Sequence, residues 1–134
     1  MKSFSRIKPG FVAAVIWAAL WVASLLLPVA IMGPAKDNVS PGWAILMMGW
    51  MGLFVLQFGW FANLAFLSAQ SLLASCTRRT AWATVTSAAL LVLTADALAW
   101  HEMYGDSGTA PIKAFGAGYY VWLFVMVGTA ITVA

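Results

Sequence analysis

The charged residues are so few, and so unevenly spaced, that they divide the chain by themselves. Seven of the 134 residues are Lys or Arg and four are Asp or Glu. They are Lys2, Arg6, Lys8, Lys36, Asp37, Arg78, Arg79, Asp96, Glu102, Asp106 and Lys113, and the stretches 9–35, 38–77, 80–95 and 114–134 hold none. About 20 apolar residues in a helix cross the hydrocarbon of a bilayer, so four crossings fit. Composition agrees, with 63% hydrophobic and 8% charged residues where a soluble domain carries about 25% charged. The expected fold is all-α, an integral membrane four-helix bundle in one domain over residues 1–134, with spans at about 11–31, 42–75, 80–100 and 118–134.

Breakers place the ends of these spans. The first follows a basic stretch, and its apolar run exceeds the roughly 7–15 residues of a signal peptide, so it is expected to be retained. Pro28 removes a backbone donor near its far end, where Ser24 is available to help satisfy the freed carbonyl region. Ser40 and Pro41 read as an N-cap followed by proline at the first helical position. The second span would be roughly 50 Å long against a core of about 30 Å. It must therefore tilt and protrude, or start in the interface and bend at Gly49 or Gly52. Cys76-Thr77-Arg78-Arg79 is a tight connection that makes spans two and three an antiparallel hairpin. Residues 101–117 read as an outside loop or short re-entrant element.

Orientation follows from the cations. The amino end and the second loop hold Lys2, Arg6, Lys8, Arg78 and Arg79, against Lys36 and Lys113 elsewhere, so both termini are expected in the cytoplasm. Trp43, Trp100, Tyr119, Tyr120 and Trp122 fall at the outer interface and Trp82 at the inner one, as an aromatic belt. The formal net charge of +3 thus reports orientation; a nucleic-acid partner is not expected.

On a helical wheel, Gly49, Gly52, Leu56, Gly59, Asn63 and Gln70 share a narrow sector of span two. Small residues there would let backbones approach, and amides would hydrogen-bond across the contact. Thr80, Thr84, Ser87, Leu91 and Thr94 form a stripe on span three that would pair with it. Asp96 is the one acidic residue within a span, and an intramembrane carboxylate is a functional candidate. It lies about one turn below Trp100, near enough to the outer interface for a hydrated structural role, which is the favoured reading. It also falls opposite the hydroxyl stripe, toward a fourth helix, a second copy or another protein, so partner contact and proton-coupled transport are the alternatives. Gly49, Gly52, Gly59, Asn63, Gln70 and Asp96 are therefore the expected packing or partner-contact residues.

Chemistry is largely excluded. One cysteine and one histidine rule out paired-thiol chemistry within the chain and bis-histidine haem ligation. His101, Glu102 and Asp106 match no structured metal spacing. Met32, Met47, Met48, Met51 and Met103 suit soft Cu(I), but they read better as adaptable apolar filler. No catalytic residue, metal or cofactor is expected.

The combination Gly49-Trp50, Trp60-Phe61-Ala62-Asn63 and Gly116-Ala117-Gly118-Tyr119-Tyr120-Val121-Trp122 resembles a pattern in small, uncharacterised bacterial inner-membrane proteins with four predicted spans. Where that pattern continues from Asn to Pro, this chain has Leu64, so a kink there is not implied. The resemblance implies the four-span architecture and a bacterial inner-membrane location, and carries no activity.

With short loops and no nucleophile paired to a base, the expected function is non-enzymatic. The chain would sit in the lipid bilayer and act through helix-helix association with another membrane protein, as an accessory or immunity-type protein. The competing reading is a small transporter or channel built by self-association, with a polar site at Asn63 and Gln70 or at Asp96. A lipid-acting enzyme using Asp96, His101 and Glu102 is the weakest of the three.

Overall fold

The computed structural model describes residues 8–33, 38–75, 80–105 and 108–134. The described residues are mostly helical, 73%, and form five helices. Helix α1 spans Pro9–Leu26. Proline suits its first turn because the amide hydrogen it lacks would have no intrahelical acceptor. The helix stops because Pro28 forces the residue before it out of helical space: Leu27 is extended, with φ −94° and ψ 156°. The Ser24 hydroxyl donates to the Trp21 carbonyl at 2.6 Å.

The expected second span is not one continuous helix. Strands β1 (Pro28–Ile31) and β2 (Val39–Pro41) lead into helix α2 (Gly42–Met48). The extended N-cap of α2 is Pro41, not Ser40, which lies in β2. At Gly49 the backbone tightens into a 3₁₀ segment to Val55, and at Leu56 it turns left-handed, with φ 57° and ψ 36°. A second 3₁₀ turn, Gly59–Phe61, opens helix α3 (Ala62–Ala74). The Trp60 indole donates to the Leu46 carbonyl at 3.0 Å, which folds α2 back over the start of α3. Of the two alternatives, an early bend fits, and it begins at Gly49.

Helix α4 spans Thr80–Leu98; the expected tight connection before it, Cys76 to Arg79, lies outside the described residues. Residues 101–117 contain a hairpin of β3 (Glu102–Gly105) and β4 (Gly108–Pro111), then β5 (Ala114–Phe115). The hairpin turn needs glycine at 108, where φ is +107°. Strand β5 pairs with β1, which becomes the centre of a three-stranded antiparallel sheet in the order β2-β1-β5. The all-α expectation is corrected to this extent. Released backbone at the helix ends finds partners across short strands: Gly42 N–H donates to Leu27 O, Lys113 N–H to Ile31 O and Gly116 N–H to Val29 O.

Helix α5 (Ala117–Val133) runs back beside α1. Gly118 abuts Ser24 and Leu27, whereas Trp17 reaches Gly128 and Thr132, so the two helices are antiparallel. The start of α1 and the end of α5 therefore lie at one end, and both sheets at the other. Helices α3 and α5 touch each other and both α1 and α4. Between them Phe66, Leu90, Val125, Met126 and Ala130 are fully buried.

The α1–α5 contact is close because a side chain at Gly128 would collide with the Trp17 ring. Gly128→Leu should cost about 1–3 kcal/mol by overpacking. Thermal unfolding in detergent checks this, and Trp17→Ala in the same background should recover much of the loss.

Candidate functional site

Asn63, in the first turn of α3 and only 7% exposed, joins three helices. Its Oδ1 accepts from the Trp21 indole of α1 and the Trp122 indole of α5, each at 3.0 Å. An indole N–H can only donate, so the atom facing both rings must be the amide oxygen. The Asn63 Nδ2 then donates back to the Trp60 carbonyl at 2.8 Å. Trp21 also stacks on Phe66, with ring centroids 5.5 Å apart.

Asp96, near the end of α4, makes a second joint. Its Oδ2 accepts from the backbone N–H groups of Phe58 at 2.6 Å and Gly59 at 2.8 Å. These donors open the 3₁₀ turn before α3 and lack intrahelical acceptors. The carboxylate thus caps α3 from another helix, with the sign the helix dipole favours. Close approach is required, since a β-carbon at Gly59 would lie 2.7 Å from that of Ala97. The Tyr119 hydroxyl secures the same turn by donating to the Ala97 carbonyl at 2.8 Å.

Both joints border a cavity of about 200 Å³ at the sheet end. Its walls come from α2 and the 3₁₀ segment, the starts of α3 and α5, the end of α4, and β3. Asn63, Asp96, Glu102 and Gln57 line it together with Trp60, Trp100, Trp122, Tyr104 and Tyr119, and with Met48, Met51 and Met103. No Lys, Arg or His lines it among the described residues.

The expected packing residues fare unevenly. Gly49, Gly52 and Gly59 do not share one helical face with Asn63, because the backbone changes type between them; Gly49 packs on the Trp60 ring and Gly52 on the Gln57 backbone. Leu56 is 77% exposed. Gln70 lies on α3, and its buried amide atoms meet no partner among the described residues. Asp96 finds its partner within the chain. The hydroxyl stripe of α4 splits: Ser87 and Thr94 are buried, Ser87 donating to the Ala130 carbonyl of α5 at 2.9 Å, whereas Thr80, Thr84 and Leu91 are exposed. His101 is exposed with Nδ1 2.7 Å from the Ala99 carbonyl, and Asp106 lies outside the described residues.

Sequence reasoning missed Trp21, Trp60 and Tyr119. A usable signal existed for Trp21: it sits well inside an apolar run, and a buried indole needs an acceptor.

Exposed small residues interrupt larger apolar ones on both long helices: Ala19 and Ala23 among Phe11, Val15, Ile16 and Val22 on α1, and Ala81, Thr84, Ala88 and Ala95 among Trp82, Val85, Val92 and Leu98 on α4, where the alanines recur every seven residues. Compared with protein-family models, curated proteins and solved structures, nothing matches this chain.

Asn63→Leu should destabilise the fold by about 2 kcal/mol, because two indole donors lose their acceptor. Asp96→Asn keeps one acceptor oxygen and should cost about 1 kcal/mol, whereas Asp96→Leu should cost about 2–3 kcal/mol. Thermal unfolding in detergent orders the three; equal losses for the two Asp96 variants would remove the capping role.

Proposed function

We propose that this chain is a multi-pass bacterial inner-membrane protein in which α1, α3, α4 and α5 form a four-helix bundle with both termini cytoplasmic. It works without catalysis, by helix-helix association with another membrane protein. Support for membrane embedding comes from an inverted distribution of polarity. Large apolar residues such as Val15, Ile16, Leu67, Val92, Phe124 and Ile131 are exposed, while Ser24, Asn63, Thr86, Ser87, Thr94 and Thr129 are buried. Water would favour the reverse arrangement; lipid favours this one. Helices Pro9–Leu26 and Thr80–Leu98 are each long and apolar enough to cross a membrane. Lys8 precedes α1 and the sequence between α3 and α4 holds Arg78 and Arg79, whereas Lys113 lies at the sheet end. That asymmetry supports a cytoplasmic assignment for the end opposite the sheets.

The observation that carries association is the outward face of α4. Small residues give no advantage toward lipid, but they let a second helix approach closely where packing and hydrogen bonds replace hydrophobic drive. Ala81, Ala88 and Ala95 recur at seven-residue steps with exposed Thr84 between the first two, which is the register of a helix seam.

Purification in mild detergent followed by identification of what copurifies tests this reading. A specific membrane protein should be recovered, and Ala88→Leu or Ala95→Leu should abolish recovery while leaving the thermal unfolding midpoint unchanged. Recovery unaffected by both substitutions overturns the assignment of this face, and recovery of only the same chain in a defined multimer favours the transporter reading. Reporter fusions at the amino terminus and after Arg79 should fall on the same side of the membrane.

A further inference from the structure

The cavity at the sheet end carries an inference independent of the α4 face. We infer that it is a binding site for an amphipathic organic cation, a quaternary or primary ammonium attached to an apolar body, with Asp96 and Glu102 as its counter-charge.

The lining sets the ligand's sign and character together. Among the described residues, Asp96 and Glu102 are the two charged ones that line it. Asp96 spends Oδ2 on Phe58 and Gly59, and among the described residues no hydrogen bond reaches Oδ1. The Glu102 carboxylate likewise takes part in no hydrogen bond with a described residue; its backbone carbonyl alone is engaged, accepting from the Trp100 indole at 2.6 Å. A cation held beside these two carboxylates, in a largely apolar space of about 200 Å³, would be stabilised by their charge.

Aromatic faces decide the type of cation. Trp60, Trp100, Trp122 and Tyr104 line the same space, and the faces of such rings attract an ammonium through their quadrupole. An inorganic cation instead needs a cage of oxygen ligands, and no three His, Cys, Asp or Glu side chains gather among the described residues. The indoles of Trp60, Trp100 and Trp122 already donate to Leu46, Glu102 and Asn63. Their N–H groups are therefore spent, and a neutral hydrogen-bond acceptor gains little from them; what they still offer is π-surface.

Titration of the purified chain with benzyltrimethylammonium, followed by quenching of tryptophan fluorescence, tests the site. Saturable quenching is expected, and the uncharged isostere neopentylbenzene should produce none. Glu102→Gln, whose side chain supports no hydrogen bond to a described residue, should weaken binding at least tenfold without changing the thermal unfolding midpoint, and Asp96→Asn should do the same with a modest loss of stability. Equal response to the charged and uncharged probes, or affinity unchanged in both variants, overturns the inference. Repeating the titration in nanodiscs separates the natural sources. Competition by phosphatidylethanolamine but not phosphatidylglycerol assigns a lipid amine as the occupant, and no competition by either assigns a free amphiphile.

Discussion

Burial makes a polar group costly unless it finds a partner, and although Gln70, Thr94 and Thr129 find none among the described residues, the Asn63 carboxamide meets that demand most densely. One oxygen serves two indoles from different helices while the amide nitrogen serves the backbone of its own. Because Trp21, Trp122 and α3 all converge on one side chain, the angular placement of α1 and α5 around α3 is set by hydrogen bonds, with apolar packing filling in behind. Such bonds are individually modest, about 0.5–1.5 kcal/mol net. Their value lies in direction: an indole that has slid by one turn has no acceptor.

The same demand explains the sheet end. Helices α1, α2, α3 and α5 begin or stop within a short distance of one another there, and each leaves unpaired N–H or C=O groups. Two devices satisfy them. Short strands pair the backbone after α1 with the backbone before α2 and α5, and Asp96 supplies an acceptor to the start of α3. A cavity remains because α2 and its 3₁₀ continuation arch over these joints, and the Leu56 turn sends the chain back beneath them.

What the sequence made legible was set by range. Apolar stretches between rare charges located α1, α4 and α5 to within a few residues, since nothing but helix length and composition is involved. Residues 42–75 could be read as one tilted rod or as a span bent at Gly49 or Gly52, because an apolar run records hydrophobicity and says nothing of where a helix tightens or turns; the bend at Gly49 was within reach, but left-handed Leu56 was not. The strands escaped notice because they are two to four residues long, far too short to show alternation, and their pairing is decided by neighbours distant in the chain. Asn63 and Asp96 could be singled out as expensive residues in apolar surroundings, but their partners, a pair of indoles and two backbone amides, are fixed only by the fold. The wheel grouped Asn63 with three glycines, whereas the fold gives it the indoles of Trp21 and Trp122 as company.

The cap on α3 also orders assembly. Phe58 and Gly59 leave the ribosome 38 and 37 residues ahead of the carboxylate that accepts their hydrogens. Until α4 has been synthesised, the leading edge of α3 has two backbone donors without the acceptor that Asp96 later supplies. Helix α3 therefore completes its first turn only when its successor delivers Asp96, so the two mature as one folding unit.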